Sequence, residues 1–117
     1  MIDRGPDSAG LIEFIRSDNR IICLKGNHEH MAVSSLQEDG RVELWQPWLA
    51  RGGRSTWGSY IVRAEGDLYE AKRLFADDLM WMDNLPNHIV LDKLRLVHAG
   101  YDPRMPLDSQ GDKELLW

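Results

Sequence analysis

Ile21-Ile22-Cys23-Leu24-Lys25-Gly26-Asn27-His28-Glu29 is the stretch on which the fold turns. Its apolar, β-branched first half predicts a buried strand that stops at Lys25-Gly26. An amide, an imidazole and a carboxylate then follow in succession. Open α/β sheets build their sites in this way: the sheet fixes the backbone and the loop at the strand end stays accessible. Two other stretches carry side chains that could meet Asn27 and His28 in space, Asp3-Arg4-Gly5-Pro6 and Val97-His98-Ala99-Gly100.

Upstream, Asp3 to Asp7 concentrates turn formers, and Asp7 or Ser8 caps a helix with Leu11, Phe14 and Ile15 at helical spacing. Ser17-Asp18-Asn19 ends it, and the strand 20–24 follows. Helix then strand is half of a βαβ unit whose first strand would lie before Met1. Downstream, a helix is expected from His28 to about Leu36, with Met31, Ala32 and Leu36 inward, closed by Gln37-Glu38-Asp39-Gly40. Trp45, Trp48, Leu49 and Trp57 surround a turn at Arg51-Gly52-Gly53-Arg54, giving a short helix over 44–50 and irregular chain to Tyr60. Asp67 and Glu70 form a capping box ahead of the apolar stripe Leu68, Ala71, Phe75, Leu79 and Met82, which Pro86 ends. His88–Leu91 and Leu94–His98 read as a hairpin turned by Asp92-Lys93. A Pro-containing loop leads to a last element at 113–117.

Composition narrows the classes. The 117 residues suffice for one domain, with 43% apolar and 28% charged residues. No apolar run is long enough to cross a bilayer, and Met1-Ile2-Asp3-Arg4 is no signal peptide. The net charge of −5 comes without a basic cluster, which argues against non-specific nucleic-acid binding. The single cysteine, Cys23, lies inside the apolar run, so it reads as core filler in a chain of the reducing cytoplasm. The sequence opens on a motif in progress and closes on Leu115-Leu116-Trp117, so it reads as part of a longer domain.

The chemistry is legible only when the three stretches are combined. Asn27 offers an oxygen ligand and His98 a nitrogen ligand, a mixture suited to manganese, iron or zinc. Arg4 offers a planar fork for phosphate, and His28 a proton that Asp3 could hold and charge. Metal, phosphate-binding Arg and protonated His together describe phosphoester hydrolysis. Taken singly each piece has a structural reading: a surface turn, a helix-capping Asn, a strand-end His. Other patterns fail. His28-Glu29 lacks the second His of a zinc protease, which would fall at Ala32; Gly52-Gly53 is no P-loop; no Ser stands in a nucleophile elbow.

Met1-Ile2-Asp3-Arg4-Gly5-Pro6, then Lys25-Gly26-Asn27-His28-Glu29, then Val97-His98-Ala99-Gly100 resembles, in that order, the phosphoprotein phosphatase branch of the calcineurin-like metallophosphoesterases. The bacterial and phage serine/threonine phosphatases are the nearest in pattern. Trp48-Leu49, Gly52-Gly53 and Leu115-Leu116-Trp117 are similar to that branch as well, so the resemblance covers residues 1–117. It implies an α/β fold, a metallophosphoesterase β-sandwich flanked by helices, here incomplete. It also implies two divalent metal ions, with Asn27 and His98 as ligands of the second. His28 would be the general acid paired with Asp3, and Arg4 would bind the substrate phosphate. Lys25 stands where many members carry an Arg in that role, and Glu29 would support the loop.

The departures bear on activity. The Gly-Asp-x-His-Gly motif of the first metal is absent, as is the Gly-Asp that bridges both metals, and so are a later His ligand and an Arg past Trp117. Ligands for one metal remain, which implies weak binding. The expectation is a partial domain of a metal-dependent phosphatase acting on phosphoprotein or small phosphoesters through activated water. The alternatives are a symmetrical dinucleoside tetraphosphate hydrolase and a non-catalytic remnant. An uncovered edge at 20–24 would favour self-association.

Overall fold

A computed structural model describes residues 1–37 and 45–117. Among these the chain is α/β and mostly helical, with one small antiparallel sheet. Helices α1 (Ser8–Ser17), α2 (Asn27–Gln37), α3 (Gln46–Trp48), α4 (Arg54–Arg63) and α5 (Leu68–Asp83) precede the hairpin of β1 (His88–Val90) and β2 (Arg95–Val97); α6 (Asp112–Leu116) follows it. None of the described helices is long and apolar enough to cross a membrane. No β-sandwich is present among the described residues, only the two-stranded sheet.

Helix α5 is where local and tertiary signals agree. The Asp67 carboxylate accepts from the amides of Tyr69 and Glu70 at 2.9 and 3.1 Å, satisfying two of the donors a helix start leaves orphaned. The return half of the capping box is not made, because Glu70 instead takes the Arg73 guanidinium at 2.7 Å. Ala71, Phe75 and Met82 are buried and Leu79 packs against them, whereas Leu68, at the first position, is exposed.

Phe75 is the hub of the core. Trp48 stacks on it at 5.4 Å and Tyr60 tilts against it at 4.8 Å, with Trp45 and Trp57 at 6.2 and 5.9 Å. Offset and edge contacts of this kind add about 0.5–1.5 kcal/mol per pair beyond the area they bury. The core therefore draws on α3, α4 and α5, and Ala32 and Val33 close it from α2.

Three expectations are corrected. Residues 20–24 are not in a ladder: residues 21–26 carry no regular secondary structure, and the Lys25 amide donates to the Pro86 carbonyl at 2.9 Å. A strand needs a neighbour for its amides and carbonyls, and none of the described residues lies beside this one as a strand, so the βαβ half-unit does not form. The irregular chain expected before Tyr60 is helix α4 instead. Its Ser, Thr and Gly content is poor for a helix, but Thr56, Ser59 and Tyr60 are buried against α1 and α5, and packing overrides propensity. The turn expected at Arg51–Arg54 is a five-residue π-type turn, Leu49–Gly53, kinked at Gly52.

The third correction concerns α1. Its inward face is Ser8, Ala9 and Ile12, not Leu11 and Phe14, which are 42% and 61% exposed. Hydroxyls on α4 decide the rotation: Ser8 Oγ meets Thr56 Oγ1 at 3.0 Å, and the Ala9 amide donates to Ser59 Oγ at 3.1 Å. The helix itself opens where expected, on Asp7, whose carboxylate accepts from the Gly10 amide at 2.8 Å.

The hairpin forms as read, with His88 opposite Val97 and Val90 opposite Arg95, and the Leu91 amide closing the turn on the Leu94 carbonyl at 2.7 Å. After it, a loop with a short 3-10 turn at Leu107–Ser109 leads to α6, whose Leu115 and Leu116 are buried. Leu115 accepts from the Ala99 amide at 3.0 Å, tying the last helix to the end of β2. Helix α2 opens one residue earlier than expected, at Asn27. Most of the segment expected to close α2, Glu38 to Gly40, and the start of the short helix over 44–50 lie outside the described residues.

Candidate active site at the start of α2

Gly26 precedes α2 and takes the N-cap position, and Glu29 stands three residues into the helix. The Glu29 carboxylate turns back to accept from the Gly26 amide at 3.0 Å, the reciprocal half of a capping box. Its second oxygen accepts from the Ile2 amide at 3.1 Å and faces the Met1 ammonium at 3.0 Å. Glu29 thus joins residues 1–2 to the start of α2, with both oxygens engaged. Burial pushes its carboxyl up, but the ammonium and the amide donors outweigh burial and hold it below the ordinary Glu value.

That tether sets Asp3 beside His28. The Asp3 carboxylate is buried with both oxygens engaged: Oδ2 accepts from His28 Nδ1 at 2.7 Å and from the Trp48 indole N–H at 2.9 Å, and Oδ1 from Thr56 Oγ1 at 2.6 Å. Because a carboxylate only accepts, the proton between Asp3 and His28 sits on Nδ1. The other ring nitrogen, Nε2, has no partner among the described residues, and the ring is partly exposed. An oriented imidazole with one nitrogen held by a buried carboxylate and the other open is poised to give or take a proton.

Asp3 reaches this position at a cost. Its φ is 72°, the left-handed region that non-glycine residues seldom enter. Gly52, at φ 123°, packs directly on it: a Cβ there would lie 2.7 Å from the Asp3 carbonyl oxygen and 2.8 Å from its Cβ. The Arg51–Arg54 turn is therefore glycine-bearing so that the Asp3 loop can lie against it.

On the next residue, Asn27 Oδ1 lies 3.1 Å from His98 Nε2, which comes from the end of β2. Gly26 allows the approach, since a Cβ there would lie 3.0 Å from the His98 ring. Two donors bound side by side to one ion at about 2.1 Å stand about 3 Å apart. In type and spacing Asn27 and His98 fit adjacent positions on a divalent metal. Among the described residues no three of His, Cys, Asp and Glu sit together as a metal-holding group.

The two residues expected to bind phosphate separate. Arg4 is exposed, has no partner among the described residues, and follows Asp3 directly. Lys25 is turned away: its ammonium donates to the Asp83 carbonyl at 2.6 Å, satisfying the end of α5, where a cation is favoured. His30 lies 3.8 Å from Asp112 and stands outside both pairs.

Sequence reasoning missed Trp48 and Thr56 as holders of Asp3. Trp48 reads as apolar surface, but a buried indole N–H needs an acceptor, and that need was the available signal. Thr56 carried no signal, since its role depends on α4 existing. Compared with family models, with curated proteins and with solved structures, the chain shows no match.

Proposed function

We propose that the site hydrolyses a phosphoric monoester, a phosphoserine or phosphothreonine side chain of a protein, with His28 as the proton donor. The observation that carries this reading is that two consecutive residues at the start of α2 meet two distant segments in complementary pairs: His28 with Asp3, Asn27 with His98. Asp3 orients the ring and keeps one proton on Nδ1, so that a proton on Nε2 can pass to the departing alkoxide. Arg4, free and adjacent, holds the phosphoryl oxygens by its planar fork. Asn27 and His98 would hold a divalent ion, which when bound supplies Lewis-acid stabilisation of the phosphoryl group and an activated water. Lys25 contributes to the phosphate only by leaving Asp83. In this reading residues 1–117 belong to a calcineurin-like metallophosphoesterase domain.

The experiment is to assay this chain with manganese against an aryl phosphate and a phosphopeptide, beside His28→Asn. Turnover lost in the variant supports the reading, and turnover equal in both overturns it. A non-catalytic role has one observation in its favour, the two-donor count at Asn27 and His98. It predicts no turnover at any metal concentration.

A further inference from the structure

The loop carrying Asp3 and Arg4 lies on the turn that carries Arg51 and Arg54, and two contacts fix the fit. Gly52, next to Arg51, touches the Asp3 backbone, and Ser55, next to Arg54, donates its hydroxyl to the Gly5 carbonyl at 2.6 Å. Arg4 sits between the two anchored residues, so the backbone of Arg4 lies against the turn that carries Arg51 and Arg54, next to the Asp3 that holds His28. All three arginines are exposed, and none has a hydrogen-bond or ion-pair partner among the described residues. The contrast with the rest of the surface matters: Arg16, Arg20, Arg63, Arg73, Arg95 and Arg104 are each paired with a carboxylate. In a chain of net charge −5 the guanidinium groups left unpaired among the described residues are carried by the Asp3 loop and the turn it lies on.

A cleft of about 590 Å³ lies between the Pro6–Asp7 loop and α4, lined by Arg54, Ser55, Gly58 and Val62 among others. Asp7 also lines it, but its carboxylate is engaged in capping α1. No aromatic ring lines it, so it has nothing on which to stack a nucleobase. An extended backbone with acidic side chains suits its shape and charge.

We propose that Arg51 and Arg54 select phosphopeptides that carry acidic residues or a second phosphate beside the phosphorylated residue. The proposal rests on the phosphoester reading of the site, in which Arg4 takes the scissile phosphate. Arg51 and Arg54 add a specificity contact outside it.

Binding separates the two claims without requiring turnover. Fluorescence anisotropy of the full chain would be read with a phosphoserine peptide of neutral flanks, the same peptide with acidic flanks, their unphosphorylated forms, and a dinucleoside tetraphosphate. Two rim ion pairs correspond to roughly three- to tenfold tighter binding of the acidic phosphopeptide at low salt. Arg51→Ala/Arg54→Ala should erase that gain and leave the neutral phosphopeptide unchanged, while Arg4→Ala weakens both. Arg54→Glu should reverse the preference towards basic flanks. Equal binding of the acidic and neutral phosphopeptides, with the Arg4 dependence intact, overturns the selectivity alone. Phosphorylated and unphosphorylated peptides binding equally overturns the phosphoester reading and this proposal with it. Tighter binding of the dinucleoside tetraphosphate through Arg51 and Arg54 overturns the peptide assignment.

Discussion

His28 Nδ1 and Asp3 Oδ2 stand 2.7 Å apart, and the same Asp3 oxygen takes the Trp48 indole N–H at 2.9 Å. Trp48 stacks on Phe75, so the His28–Asp3 pair is anchored directly to the centre of the core. Orientation of His28 is thereby coupled to packing. A change in the core should reach the site through one hydrogen bond.

Replacing His28 by Asn removes the proton donor and keeps a polar side chain able to reach Asp3. If the site is an acid–base centre, turnover of a phosphopeptide should fall by about 10²-fold or more. An aryl phosphate with a good leaving group should suffer less. Steady-state kinetics on the two substrates checks this, and equal losses would point to misfolding.

Asp3→Ala leaves the Trp48 N–H and the Thr56 hydroxyl without their acceptor and puts Ala at φ 72°. One buried unsatisfied donor costs about 1–3 kcal/mol, so a loss of about 2–4 kcal/mol is expected in urea unfolding. Asp3→Asn keeps the shape and an acceptor oxygen and tolerates positive φ, so it should cost less. Its effect should fall on activity, through the orientation of His28. Equal stability losses for the two variants would contradict the hydrogen-bonding account.

Gly52→Ala places a methyl 2.7 Å from the Asp3 carbonyl oxygen at a φ of 123°. About 1–3 kcal/mol of destabilisation follows from the backbone region alone. Because the clash is with Asp3, the His28 ring should also shift, visible as a change in its proton resonances. A silent substitution would show that the turn does not press on the Asp3 loop.

Glu29 gives a signed pH dependence. Its carboxyl is held below the ordinary value of 4.5, so its contribution to stability is fully present above that value. It is lost as pH falls from 4.5 through the depressed folded value. The carboxylates paired with surface arginines, such as Asp18 with Arg20 and Asp102 with Arg104, are screened by solvent and should add little. Urea midpoints between pH 6 and pH 3 should therefore fall more steeply for the natural chain than for Glu29→Gln.

Residues 21–24 carry no regular secondary structure and no strand partner among the described residues, and Ile22 is 72% exposed there. An apolar segment with free backbone groups templates pairing with another chain. Light scattering should show concentration-dependent association that Ile22→Lys reduces. Equal scattering by both would exonerate this edge.

How far the sequence could be read differs from one element to the next. Helix α5 was legible because Asp67, the apolar period and Pro86 are all local signals. The hairpin was legible for the same reason, with Asp92-Lys93 between two β-rich runs. Helix α4 was not, because Thr56, Ser59 and Tyr60 become helical by burial against α1 and α5, which no local pattern records. The Ile21–Leu24 run misled in the opposite direction: its composition suits a strand, but a ladder requires a neighbour, which is a tertiary fact.

The site divides along the same line. By itself the sequence determined which groups are available: Asp3, Arg4, Lys25, Asn27, His28 and His98 stand out by residue type and order. Only the tertiary structure decided which of them meet. It set Asp3 on His28 through Trp48 and Thr56, and brought His98 to Asn27 across 71 positions. It left Arg4 free beside the pair and drew Lys25 off to the end of α5. The reason is physical: a side chain's chemistry is local, but hydrogen bonds between distant segments exist only once packing has fixed both backbones.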